Sequence, residues 1–161
     1  MRSPRSASDT SVALAIPADP GLVRFVRLVA VSLARVHGIA DEHLDDVRLA
    51  TSEACARAVA AHRGADIGAR VQVEITGGKA LTVSVRDLVP LPVATGLAAA
   101  ELLREEALRQ HGRDLPSAPV DDVDPMPEAV GLLAGLADDV TVETGPDGTS
   151  VRMSWSPLRR R

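Results

Sequence analysis

Two pairs of alternating apolar runs, each joined by a glycine-bearing turn, constrain this chain more than any other feature. Val71, Val73 and Ile75 alternate, Gly77-Gly78 follows, and Leu81, Val83 and Val85 alternate again. Later, Val140 and Val142 lead into Gly145-Pro146-Asp147-Gly148, after which Val151, Met153 and Trp155 alternate. A period of two puts the apolar side chains on one face of a strand, and short glycine turns join antiparallel neighbours. Val12, Leu14 and Ile16 add a fifth strand near the start.

Between these runs the period changes. Asp19-Pro20 reads as an N-cap followed by proline at the first helical position. Leu22, Phe25, Val26, Val29 and Leu33 then recur at helical spacing up to His37-Gly38, where glycine can close the helix. A second helix is predicted from Asp41 to about His62, with Leu44, Val47, Ala50, Ala54 and Ala58 as its apolar stripe and Gly64 at its end. Ala98 to Gln110 predicts a short helix, Leu115 to Pro127 a mobile loop, and Glu128 to Ala137 a further helix.

The order strand, helix, helix, strand, strand, loop, helix, strand, strand predicts an α+β fold. It is a two-layer α/β sandwich, with a mixed, mostly antiparallel sheet covered on one face by helices. The 161 residues suffice for one domain. We place it at 11–156, with a lid-like region at 88–127, a disordered tail at 1–10 and a basic tail at 157–161.

Composition narrows the function. Phe25 and Trp155 are the only aromatic residues, so the core is aliphatic and base stacking of single-stranded nucleic acid is disfavoured. The net charge of −4 also argues against a nucleic-acid partner, and Arg159 to Arg161 read as a solvated tail. Cys55 is the single cysteine, so no internal disulfide forms, which fits a reducing cytoplasm. The N-terminus has no apolar stretch of a secretory signal, and no run is long enough to span a membrane. We therefore expect a cytoplasmic protein. His37, His43, His62 and His111 lack metal-ligand spacing. Asp121, Asp122 and Asp124 lack the glycine and terminal glutamate of a calcium loop, so no metal site is predicted.

Glu53 and Arg57 stand four residues apart, hence on one helix face; by themselves they read as an exposed ion pair. Asp87 by itself reads as a strand-end turn residue, and Cys55 as a small buried side chain. The stretch Val47-Arg-Leu-Ala-Thr-Ser-Glu53-Ala-Cys-Ala-Arg57-Ala-Val59 nevertheless resembles the first nucleotide box of the GHKL ATPases, the histidine kinase-like or Bergerat fold. More narrowly it is similar to the small bacterial anti-sigma serine kinases of sporulation and general stress, which read Glu-x-x-x-Asn here. Leu81 to Asp87 resembles the strand that ends in the adenine-reading aspartate. Val130-Gly131-Leu132-Leu133 resembles the helix start after the lid, and Asp138-Asp139-Val140 with Gly148 to Trp155 resembles the closing hairpin. The resemblance covers roughly residues 11–156.

The resemblance implies an ATP site with magnesium. Glu53 would be the catalytic base, position 57 the magnesium ligand, Asp87 the acceptor for the adenine amine, and Gly131 and Thr149 further nucleotide contacts. Arg24 and Arg27, on the first helix, would touch a sigma factor. It also implies an anti-anti-sigma (STAS) partner and a homodimer.

The departures matter as much. Arg57 has no acceptor atom and cannot ligate magnesium, although its guanidinium has the geometry to donate to a phosphate instead. Asp87 is followed by Leu88-Val89-Pro90-Leu91 instead of a glycine motif, and Gly131 stands alone. The expectation is therefore an anti-sigma factor with a vestigial Glu53 and no tightly bound cofactor, leaning to non-catalytic. An active serine/threonine protein kinase acting on the anti-anti-sigma partner is the alternative.

Overall fold

The alternation near the N-terminus becomes β1 (Thr10–Ile16), whose residues are by turns half-buried and exposed. In the computed structural model, which describes residues 10–90 and 126–157, β1 is followed by α1 (Val23–Val36), α2 (Leu44–Gly64), β2 (Val71–Gly77), β3 (Leu81–Arg86), α3 (Met126–Ala134), β4 (Asp139–Gly145) and β5 (Gly148–Trp155). Short 3-10 turns, Pro20–Leu22 and Asp41–His43, lead into α1 and α2. The expected helix at 98–110, the loop at 115–127 up to residue 125, His111, the acidic residues 121–124 and most of both tails lie outside the described residues.

The sheet order is β1-β2-β3-β5-β4, and every described pairing is antiparallel. The expected mixed character is thus absent among the described strands. Each pairing except β3–β5 joins strands that follow one another in the sheet-forming order, and the excursion through α3 and β4 brings β5 back beside β3. Inward positions Val71, Ile75, Leu81, Val83, Val85, Val151 and Met153 are fully buried. They pack under Val26, Ala30 and Ala34 of α1 and Val47, Ala50, Ala54 and Ala58 of α2, which are fully buried as well. The run of alanines on α2 lets a helix approach the sheet closely, and β-branched residues fill the pleats.

Local chemistry explains the boundaries. The Asp19 side chain accepts from the Gly21 N–H at 2.8 Å, with Pro20 inside the turn, as the sequence suggested. Gly38, at φ +75°, ends α1. Two details differ from expectation. Phe25, counted in the apolar stripe of α1, is 48% exposed, because Val23, Ala30 and Ala34 define the inward face instead. Gly77 is the last residue of β2, opposite Leu81, and the turn is Gly78-Lys79-Ala80. Gly77 is small for another reason: a Cβ there would lie 2.0 Å from the His37 ring.

Trp155 ties the far end together. Its indole Nε1–H donates to the Leu136 carbonyl at 2.8 Å, joining β5 to the segment after α3.

Candidate functional site

The C-terminal end of β3 meets the middle of α2, and there Asp87 and Arg57 form the most buried charge pair among the described residues. Arg57 Nη2 donates to Asp87 Oδ2 at 2.6 Å, with the two side chains 8% and 2% exposed. The other carboxylate oxygen, Oδ1, accepts from the backbone N–H groups of Val89 and Thr149, each at 3.1 Å. Asp87 therefore takes three hydrogen bonds, one of them charge-assisted. The Asp87 backbone N–H donates to the Thr149 carbonyl at 3.0 Å, extending the β3–β5 ladder by one step.

Two neighbours hold this arrangement. Gly148 sits at φ +115°, and a Cβ there would lie 2.0 Å from the Asp87 carbonyl oxygen, so only glycine lets the two strands come this close. His62, fully buried near the end of α2, lies between two backbone groups. Its Nε2 accepts from the Leu88 N–H at 2.8 Å, and its Nδ1 is 2.9 Å from the Ala69 carbonyl. Acceptance at Nε2 fixes the proton on Nδ1, which donates to Ala69. His62 thus pins the first residue after Asp87 to α2. It was passed over as a functional residue in the sequence, where a lone histidine near a helix end carries no signal of its own.

Glu53 does not join this cluster. One turn before Arg57 on α2, it is half-buried, and its carboxylate makes no hydrogen bond or ion pair among the described residues. The expected Glu53–Arg57 pair is absent, because Arg57 turns to Asp87. Glu53 instead borders a cleft of about 280 Å³ between the start of α1 and the end of α2, floored by Val23, Ala56 and Val59 and flanked by Arg27 and Arg63. Arg27, expected as a partner contact, thus stands at the same cleft as Glu53. Arg24 is exposed and lies over the Phe25 ring, 4.9 Å from its centroid.

Gly131 is exposed and sits in the sixth position of α3. Its N–H falls within the i to i−4 ladder, beyond the first four N–H groups that a helix start leaves free for an anion. A Cβ on Gly131 would touch nothing within 4 Å, so no close backbone approach requires glycine there. Thr149 is 5% exposed and is engaged through its backbone with Asp87.

Cys55 is fully buried, and burial pushes its thiol up to about 12. Such a thiol is inert packing rather than a nucleophile. Among the described residues no cluster of His, Cys, Asp or Glu could hold a metal ion, and no helix is long and apolar enough to cross a membrane. The Arg57 Nε–H is buried without a partner among the hydrogen bonds described, a cost the Asp87 pair offsets.

Every described strand pairing is antiparallel and α1 and α2 cover the buried face of the sheet, giving an α+β sandwich whose family sequence comparison identifies. The profile of the histidine kinase-like ATPase domain matches residues 16–155. The chain belongs to that family. No curated protein matches it in sequence. Among solved structures, a chain of the SiaB–SiaC complex from Pseudomonas aeruginosa is similar at a TM-score of 0.54 and 13% identity, over 89% of this chain and 88% of that one. That likeness is one of fold.

Proposed function

We propose that this histidine kinase-like ATPase domain is a protein-binding regulator of the anti-sigma kind, in which nucleotide handling is weak or lost. The observation that carries the second half is the buried Arg57–Asp87 pair. In the resemblance, Asp87 reads adenine and position 57 ligates magnesium. Here the acceptor atoms of Asp87 are engaged by Arg57, Val89 and Thr149, and a guanidinium stands where magnesium needs an oxygen. An adenine amine would have to displace a charge-assisted bond in a dry setting. The residues present do not fit a magnesium-bridged nucleotide.

Partner binding draws support from a different surface. Helix α1 carries Arg24, Arg27 and Arg35 and no acidic residue, and it exposes Phe25 and Leu28, 48% and 64% accessible. A basic helix with exposed apolar residues on a chain of net charge −4 suits an acidic, amphipathic protein surface. The resemblance names that surface as a sigma factor, released by an anti-anti-sigma (STAS) protein. The similar fold seen in the SiaB–SiaC complex, itself an assembly of two proteins, fits a protein-partner role. We place the protein in the cytoplasm, as a homodimer.

Affinity capture from the native host, with and without ATP, tests the reading. Recovery of a sigma factor or a STAS protein in both conditions supports it; recovery of neither overturns it. Calorimetry should give no heat of Mg-ATP binding, and low-micromolar affinity would overturn the nucleotide half. Glu53 favours a second reading, an active serine kinase, because its carboxylate is unpaired among the described residues and borders an open cleft. Transfer of labelled phosphate from ATP to the STAS partner would establish that reading.

A further inference from the structure

Helices α1 and α2 pack on one face of the sheet, and the other face is open among the described residues. Strand alternation turns Gln72 and Glu74 of β2, Ser84 and Arg86 of β3, and Ser150 and Arg152 of β5 away from the core. With Ala13 and Ala15 of β1 and Glu143 of β4 they line an open trough of about 890 Å³. Arg57 and Asp87 lie on the other side of the sheet, because Asp87 follows Arg86 by one residue and is buried.

Register sets four of these side chains in a square. Arg86 pairs with Ser150, and Ser84 pairs with Arg152, across the β3–β5 ladder. The two arginines are therefore diagonal neighbours, about 7 Å apart at their Cβ atoms, with a hydroxyl at each remaining corner. Each guanidinium commits one donor to the protein. Arg86 Nη2 donates to the Asp147 carbonyl and Arg152 Nε to the Ser84 hydroxyl, both at a long 3.4 Å. Most of their N–H groups are left over, since a guanidinium carries several. Carboxylates stand close by: Glu74 is diagonal to Arg86, Glu143 is diagonal to Arg152, and Asp147 lines the same trough. Yet neither arginine forms an ion pair with any of them among the described residues. Glu74 accepts instead from Ser11 Oγ at 3.3 Å.

We propose that this square is a phosphoryl-binding site, and that its occupant is a phosphorylated serine or threonine on a partner protein. Two planar guanidiniums and two hydroxyls suit the three oxygens and near-double charge of a phosphate monoester. A single carboxylate would add nothing that Glu74 and Glu143 do not already supply. No aromatic side chain lines the trough, so a nucleotide base has nothing to stack on. The trough crosses all five strands, about 19 Å, which takes the chain on either side of the phosphoryl group. Ala13 and Ala15, small and exposed, keep its β1 end clear. Basic residues flanking the phosphoryl group would meet Glu74 and Glu143. The inference rests on this face alone and not on the reading of Arg57 and Asp87.

Titration of the isotope-labelled full chain with a short alanine peptide centred on phosphoserine, followed by amide chemical shifts, tests this. Ser84, Arg86, Ser150 and Arg152 should shift saturably, with a Kd on the order of 1 mM for so short a probe. Arg86→Gln and Arg152→Gln should each weaken binding about fivefold or more. Glu143→Gln, which removes a competing carboxylate, should tighten it. Lowering the pH through about 6 should weaken binding, as the phosphoryl group takes up its second proton. The same peptide with glutamate at its centre should bind about tenfold or more weakly, lacking the second charge. Inorganic phosphate should shift the same amides at higher concentration than the peptide needs. Unmoved Arg86 and Arg152, a glutamate peptide that binds as well as the phosphoserine peptide, or unchanged affinity in both arginine variants overturns the site. Inorganic phosphate that binds as tightly as the peptide overturns the assignment to a protein-borne group. None of these outcomes bears on partner capture or Mg-ATP binding, which concern other surfaces.

Discussion

Arg57 and Asp87 are thirty residues apart in sequence and share one of the shortest contacts among the described side chains. Removing one member of a buried pair leaves the other charged and unsolvated. Arg57→Ala should therefore destabilise the fold by about 3–5 kcal/mol, read by urea unfolding. Arg57→Met combined with Asp87→Asn should cost clearly less than Arg57→Met alone, because the amide oxygen still serves Val89 and Thr149 while the orphan charge is gone. Equal losses in the two variants would show that the pair is not coupled. Cys55 makes the opposite prediction, of inertness. Its thiol is pushed from 9.0 up to about 12 by burial. Native protein at pH 8 should react with iodoacetamide about a hundredfold or more slower than unfolded protein. Below pH 9.0 the thiol is neutral in both states. Above it the unfolded chain ionises first, so this group makes stability fall as pH rises from 9.0 toward about 12. At this scale the sequence marked positions 53, 57, 87 and 149 but not their pairing. Helical spacing put Arg57 beside Glu53, whereas its choice of Asp87 depends on where β3 lies against α2.

Elements behaved as their periodicities required, and their ends are where small residues matter. Gly148 opens β5 at φ +115° against the Asp87 carbonyl. Gly148→Ala should cost about 2 kcal/mol or more, from the strained backbone and the displaced strand together, measured by thermal unfolding. His62→Leu should cost about 2–4 kcal/mol, since the Leu88 N–H and the Ala69 carbonyl lose their partner in a buried setting. A loss under about 0.5 kcal/mol would mean that water replaces the ring. The alternating runs announced all five strands, because a half-buried strand shows its face every second residue. The role of Gly77 was not legible. In sequence it resembled a turn glycine; in the fold it makes room for His37, a contact between α1 and β2 that no local pattern records.

For the whole molecule, an aliphatic sandwich in which Arg57 already engages Asp87 should gain nothing from nucleotide. A ligand present at one hundred times its Kd would add about 2.7 kcal/mol, a rise of about 5 °C or more in Tm for a chain this size. We expect a shift below about 1 °C with 1 mM Mg-ATP, and a larger one would contradict the reading of Arg57 as a substitute for ligand. What the sequence by itself determined was the architecture: five strands, the α1–α2 pair over them, and the family motifs at Glu53 and Asp87. The strands and helices follow from periodicity and turn chemistry, which act over a few residues, and the motifs from resemblance to the family. Only the tertiary structure decided that Asp87 is occupied by Arg57 and that Glu53 opens toward Arg27 instead. Each of these depends on distances between distant segments, which packing sets and local pattern does not.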